Sequence, residues 1–216
     1  MSADTRDRLL EGTIDALRAQ GIAGISARNI AAAAGVNQAL IFYHFGSVDE
    51  LLAAAALRST EAQVTQYRER FAQVRSLREL QDLGRVLRAN EREAGNFAVL
   101  GQLLAAAQTN PVFAATTRDA LRLWIVEIEQ VLDRVLAGSV LGDVADTAGL
   151  AHALSASFIG LELMAVVDPE GDDQASDALD QLGVLAERLD GLGTVAKRAI
   201  RGAVRRTARK GQAAQS

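Results

Sequence analysis

Apolar positions recur at helical spacing through almost all of this 216-residue chain. Leu9, Leu10, Ile14 and Leu17, with Thr13 among them, return at three- and four-residue intervals and draw one stripe on a helix predicted over 4–20. Gly21 and Gly24 interrupt it, and Ile22 and Ile25 read as apolar plugs in the loop. Ser26 is a suitable N-cap for a short Ala-rich helix over 27–34, and Gly35 stands where a helix end needs left-handed backbone. A three-residue turn, Gly35-Val36-Asn37, leads into a second short helix from 38 to about 45. Gly46 breaks that helix, and Ser47-x-x-Glu50 has the form of a capping box opening a long helix to about 71. Further helices are predicted near 76–92, 96–108, 111–137, 144–167 and 175–195. Asn110-Pro111 supplies an N-cap and an N1 proline, Gly138 closes the longest of these helices, and Asp143 can cap the next. The segment 168–173, DPEGDD, reads as a loop. No stretch of useful length has strand period and no internal repeat is visible, so the fold class is all-α.

The order within 30–57 carries more than fold class. A short helix, a glycine turn, a second short helix and an immediate third helix are the parts of a helix-turn-helix. On a wheel of the second short helix, Ile41 and Phe45 share one face and should pack on Ile30, Ala33 and Ala34, where small side chains let two helices approach closely. Ala39, Leu40 and Tyr43 lie opposite, flanked by Phe42 and His44, with Asn37 and Gln38 at the entry. Small Ala39 permits close approach to base edges, Leu40 could meet a thymine methyl, and Gln38 could read an adenine. Tyr43 and His44 can donate to phosphates, as can Ser26, Arg28 and the first amides of the flanking helices. Any αα-corner could share the helix pattern. Three outward apolar or aromatic residues, Leu40, Phe42 and Tyr43, require a partner, and that favours DNA first and a protein second.

Composition narrows the setting. About half the residues are hydrophobic, enough for a sizeable core in one or two domains. Two prolines and few aromatics suit helices. The absence of Cys excludes disulfides and thiolate chemistry and points to a reducing, cytoplasmic location. No apolar run reaches about 18 residues without a charge, so no membrane span is expected, and the charged N-terminus lacks the apolar core of a signal peptide. The net charge is −4, yet seven basic residues and no acid fall between Lys197 and Lys210. The first 50 residues hold four Arg against six acids, so DNA binding there must rest on local geometry rather than bulk charge.

The stretch GISARNIAAAAGVNQALIFYHFGSVDELLAAAA resembles the DNA-binding segment of the tetracycline-repressor (TetR) family of bacterial transcription regulators, over roughly residues 5–57. The resemblance implies an all-α homodimer with a three-helix DNA-binding head. It also implies a larger helical body that binds a small ligand and dimerises through a four-helix bundle of the last two helices of each subunit. It makes the recognition helix Gln38 to His44 and assigns phosphate contacts to Ser26, Tyr43 and His44. One position departs: the family often has a phosphate-binding Lys at the second position of the helix after the recognition helix, where this chain has Val48.

The expected organisation is therefore a helix-turn-helix domain over 1–46, a ligand-binding and dimerisation domain over 47–196, and a basic tail over 197–216. In the segment 144–167, Ala148, Ala151, Ser155, Ala156 and Gly160 are small residues suited to tight helix packing; with the helix after it, this is the candidate dimer interface. Glu162 within it is either a ligand anchor or paired with an Arg. Phe97, Leu100, Leu104, Phe113, Leu121, Trp124, Ile128 and Phe158 are candidate pocket residues, though such a stripe serves equally as core. The polar groups Gln102, Gln108, Glu127 and His152 are few, which favours an apolar ligand. No catalytic motif, metal-spaced cluster or phosphate loop appears, so neither an enzyme nor a cofactor or metal is expected. The basic tail reads as a solvated extension, or as a non-specific DNA clamp standing in for the head's missing positive charge. The expected function is a DNA-binding regulator, foremost a ligand-responsive repressor acting as a homodimer on a palindromic operator; the alternatives are a ligand-independent regulator and, from a different class, a helical-bundle enzyme or a protein-interaction module.

Overall fold

The computed structural model describes residues 2–143, 145–190 and 202. Among these the elements are helices, with no strand: α1 (Ser2–Gln20), a 3-10 turn (Ile22–Gly24), α2 (Ala27–Ala34), α3 (Ala39–Phe45), α4 (Val48–Gln73), α5 (Leu77–Glu93), α6 (Asn96–Ala107), α7 (Pro111–Val135), α8 (Thr147–Ala165) and α9 (Pro169–Asp190). The chain divides into two compact units, Met1–Glu69 with Leu87–Trp124, and Arg70–Val86 with Ile125–Ser216. The basic run 197–210 and the last turn of the helix expected to 195 lie outside the described residues.

In the first unit the predicted stripe of α1 is core. Leu9 and Leu10 pack with Ile30, Ala31, Ala34, Ile41, Leu51 and Ala55. Leu17 belongs to a second cluster with Leu52, Ala53, Ala56, Val99, Leu103 and Phe113. Ile22 and Ile25 plug these clusters from the loop, half-buried. Thr13, fully buried, donates its hydroxyl to the Leu9 carbonyl at 2.6 Å, so its polar group is satisfied inside its own helix. The face of α2 expected to receive α3 differs by one residue: Ala33 is exposed, and Ala31 lies buried beside Ile30 and Ala34. Where α1 packs on α2, a Cβ on Gly12 would sit 2.8 Å from the Ala34 backbone nitrogen. The two backbones touch, and glycine is what lets them.

In the second unit Leu132, Leu136 and Ala151 form the centre, with Leu77, Leu80, Ile125, Ile128, Leu141 and Leu150 against them. Arg134 donates to the Phe71 and Val74 carbonyls, at 2.7 and 3.2 Å, and so satisfies acceptors left over at the end of α4. Arg85 bridges Asp82 and Asp180; the Asp82 hydrogen bond first, then the charges of both carboxylates, hold its guanidinium above its usual range.

Two boundaries correct the sequence reading. Asp146, not Asp143, caps α8, accepting from the Gly149 amide at 3.0 Å. The segment expected as a loop, 168–173, is instead the start of α9. Pro169 opens the helix, Asp168 Oδ1 accepts from the Gly171 amide at 3.0 Å, and Glu170 and Asp172 lie in the first turn, where carboxylates oppose the positive end of the dipole. A string of Asp, Pro and Gly here is a helix start. The capping signal at Asn110-Pro111 stands as expected, with Asn110 Oδ1 accepting from the Val112 amide at 2.9 Å; α7 ends at Val135, two residues early, and Gly138, with a φ of 73°, lies in the turn that follows.

Helices α8 and α9 form a hairpin through a three-residue turn. Its surface is unusually apolar: Met164 is 58% exposed, Val166 83%, Val167 81%, Leu182 59% and Leu185 56%. Of the small residues expected at an interface, Ala151 and Ser155 are spent inside the unit, whereas Ala156 faces outward. Among the described residues α8 is the one single helix long and apolar enough to cross a membrane by length and composition. It carries Glu162, buried within the unit.

Candidate nucleic-acid interface

The interface is built from α2, the turn and α3. Ser26, in extended backbone, accepts from the Asn29 amide through its Oγ at 3.2 Å and starts α2. Asn29 in turn donates to Gln20 Oε1 and the Gly24 carbonyl, at 2.9 and 3.0 Å, which ties the start of α2 to the end of α1. The far end of α2 closes with a Schellman motif: the Val36 amide bonds to the Ala31 carbonyl at 3.0 Å and the Gly35 amide to Ala32 at 3.2 Å. Gly35 has φ 62° and ψ 38°, a left-handed conformation that costs any residue with a Cβ.

Sequence reasoning missed what holds this turn from outside. Arg8 of α1 donates to the Ala34 carbonyl at 2.8 Å and to the Gly35 carbonyl at 2.7 Å. A cation at a helix C-terminus meets both the free carbonyls and the negative end of the dipole. The spacing Arg8 to Gly35 is nonlocal, so no local pattern signals it. Two more α1 residues brace the same region: the Arg6 guanidinium lies 5.1 Å from the Phe45 ring centroid, and Asp7 pairs with Arg58 of α4 at 2.6 Å.

The second helix begins one residue later than expected, at Ala39, with Gln38 as its N-cap, already in helical backbone and making no side-chain cap bond. Asn37 Oδ1 accepts from the Ala39 amide at 2.8 Å, and the Asn37 carbonyl accepts from Leu40. Its side-chain oxygen is thereby committed, leaving its NH2 to face outward. Ile41 is fully buried and Phe45 packs half-buried on the same cluster, as the wheel requires. Gln38, Ala39, Phe42 and Tyr43 are exposed, Tyr43 by 80% and Phe42 by 50%. Leu40 and His44 are only half-exposed; Leu40 also rests on the core, and His44 sits edge-on to Tyr43 with centroids 4.9 Å apart. Ser26 and Arg28, at the start of α2, are exposed. After α3, Ser47 Oγ accepts from the Glu50 amide at 3.1 Å, the first half of the expected box, and opens α4. This is a capped helix presenting an amide, a small side chain, a phenyl ring and a phenol to the outside.

A sequence model described as "Bacterial regulatory proteins, tetR family" matches residues 9–55, which span α1 to the first turns of α4. Residues 9–55 are a segment of the tetR-family type. Solved structures of similar fold extend the likeness past the head. SCO7518 from Streptomyces coelicolor A3(2) is 25% identical over 83% of this chain and 98% of its own, with a TM-score of 0.65. A TetR transcription regulator from Haloarcula marismortui is 19% identical over 88% of this chain and 97% of its own, with a TM-score of 0.65. The multidrug binding protein EbrR, complexed with proflavin, is 22% identical over 82% of this chain and 99% of its own, with a TM-score of 0.58. No curated protein sequence matches significantly.

The candidate pocket residues fall in different places. Phe113 is buried in the cluster of Leu17 and Val99, and Ile128 packs in the core of the second unit. Trp124 is half-buried with its ring 6.0 Å from Tyr67, and Phe97, Leu100, Leu104, Leu121 and Phe158 are half-buried. Gln102 is occupied at the α1 end, accepting from the Ile22 amide at 2.5 Å. His152 is exposed on α8, and Glu127 is buried on α7. Among the described residues no group of three or more His, Cys, Asp or Glu is placed to hold a metal ion.

Proposed function

We propose that this tetR-family regulator is a ligand-responsive repressor that binds a pseudo-palindromic operator as a homodimer. Residues 1–46 form the DNA-reading head, and the helices from 47 onward form the ligand-binding and dimerisation body. The observation that carries the DNA reading is the exposed face of α3, locked by the Schellman turn and the Arg8 clamp. Gln38 and Ala39 stand at the leading end of α3, where a recognition helix meets base edges; Tyr43 supplies a phenolic donor for a phosphate, with Ser26 and Arg28 alongside. Val48 stands where a lysine phosphate contact is common in the family, so the head relies on hydroxyl and amide donors and a few Arg.

Homodimerisation is supported by the uncovered apolar surface of α8 and α9. Met164 and Val166 at the turn, and Leu182 and Leu185 further along α9, are large apolar side chains left exposed, and a second copy offers the same residues in return. Interhelical packing of two hairpins also accounts for a helix as apolar as α8 without placing it in a lipid bilayer. Ligand response is supported by EbrR, a multidrug binder of the same fold.

The test is a gel-shift and footprint with the region upstream of the chain's own gene. The expected result is a sequence-specific complex of two chains on a two-fold site, with half-site centres roughly 34–36 Å apart or a multiple of that. A single asymmetric half-site protected by one chain would falsify the dimeric reading, and the absence of any sequence-specific shift across a genomic fragment library overturns the regulator itself.

A further inference from the structure

The first unit contains an open cleft of about 550 Å³, lined by the end of α1, the middle of α4 and the junction of α5 with α6. That volume suits a small organic ligand. The lining is polar and differs from the aromatic list that sequence reasoning favoured. Its centre is Glu91, which lines the cleft and is only 7% exposed. Glu91 accepts a hydrogen bond from Asn96 Nδ2 at 2.5 Å. Among the described residues no Lys, Arg or His forms an ion pair with it. A buried carboxylate held by a neutral amide alone has not recovered the charge stabilisation it lost on leaving water.

The neighbouring groups decide what could supply that charge. Arg18 does not meet Glu91; it donates to the other end of the same amide, Asn96 Oδ1, at 2.8 Å, and lies 3.9 Å from Asp15. Gln63 adds an amide that can both donate and accept. Tyr67 lies beneath the cleft, 1% exposed, with its hydroxyl held by Asn90 Nδ2 at 3.0 Å. Glu93 is a second carboxylate of the lining, but it is exposed, and two carboxylates in so wide a space do not coordinate a bare metal ion, which needs several oxygens at short range. An ammonium group fits: it meets the Glu91 carboxylate and neutral amide oxygens, while hydroxyls on the same molecule find the remaining amides.

We propose that this cleft binds a small organic ammonium cation, with Glu91 as its counter-ion. The inference rests on the ligand-responsive reading above and gives that ligand a place and a charge. It also gives a route to the head. A cation that takes the Glu91 carboxylate competes with Asn96, and Asn96 is the residue that Arg18 of α1 grips.

Trp124 is the only Trp and its ring lies 6.0 Å from that of Tyr67, so its emission reports on the cleft. The experiment titrates the full chain, without DNA, with choline, ethanolamine and putrescine, and with 3,3-dimethylbutan-1-ol, the uncharged isostere of choline. The expected result is saturable quenching or shift by at least one of the three cations and none by the isostere. Glu91→Gln should weaken that binding by about ten- to a hundredfold, the worth of a charged hydrogen bond. Ala62→Phe, at an exposed position of the lining, should abolish it without disturbing the fold. The second variant keeps the test decisive if Glu91→Gln does not fold. Equal response to the isostere, unchanged affinity in either folded variant, or no saturable response to any cation overturns the proposal. Because DNA is absent, cation binding that leaves operator affinity unaltered would retain the site and reject the regulatory reading instead.

Discussion

Gln38 and Tyr43 are both exposed on or beside α3, but their chemistry assigns them different work. A Gln amide can pair with an adenine edge in bidentate fashion, and a phenol donates a single bond to a phosphate whatever the sequence. Gln38→Ala is therefore expected to relax preference at one base position, at a cost of about 1–3 kcal/mol there, as read by binding-site selection. Tyr43→Phe should weaken strong and weak sites by about the same factor; a changed consensus in that variant would make Tyr43 a reader. The residues of this face were legible because short polar and aromatic side chains on a capped helix have few other uses. Arg8 was not, since its partners, the carbonyls of Ala34 and Gly35, are distant in sequence and carry no side-chain signature. Glu91 was missed for the opposite reason. In the sequence it is one of the two acids in the run ANEREAG, and only the fold sets it apart as buried.

Between residues and whole, the helices obey their caps. Gly35→Ala is expected to destabilise the protein by about 1–2 kcal/mol in a denaturant melt, because a Cβ is forced into left-handed backbone and toward the Arg8 guanidinium. Asp146→Ala should cost about 0.5–2 kcal/mol through the lost α8 cap, and Asp143→Ala far less. An equal effect at the two positions would restore the earlier boundary. The helix order and most ends were readable from periodicity and punctuation. The start of α9 was not, because Asp-Pro-Glu-Gly serves both as a turn and as a capped first turn; what decides is whether apolar positions further on continue the period, and in α9 they begin only at Ala175 and Ala178. The small-residue stripe of α8 was likewise ambiguous. Ala151 and Ser155 pack inward, so the outward contribution comes from Met164 and Leu163 rather than from close helix approach.

At the scale of the molecule, the exposed hairpin makes self-association measurable. Leu182→Glu, at an exposed position of α9, is expected to shift sedimentation from dimer toward monomer while leaving the helical signal intact. A dimer that survives this change and a second one at Met164 would place the contact elsewhere. If an effector weakens operator binding, the operator must weaken effector binding by the same factor, with a coupling of about 1–3 kcal/mol measured from either side. The contact between α1 and the turn has a kinetic consequence as well. The carbonyls at the end of α2 are held by Arg8, and the seam beneath them is closed by the backbone of Gly12 against Ala34. The turn therefore cannot open by itself. Its amides, Val36 and Leu40 among them, should exchange their hydrogens with solvent at the same slow rate as those in the middle of α1, as one cooperative opening unit. A recognition element so fastened searches DNA as a fixed shape, and its adjustment to the groove must come from the duplex.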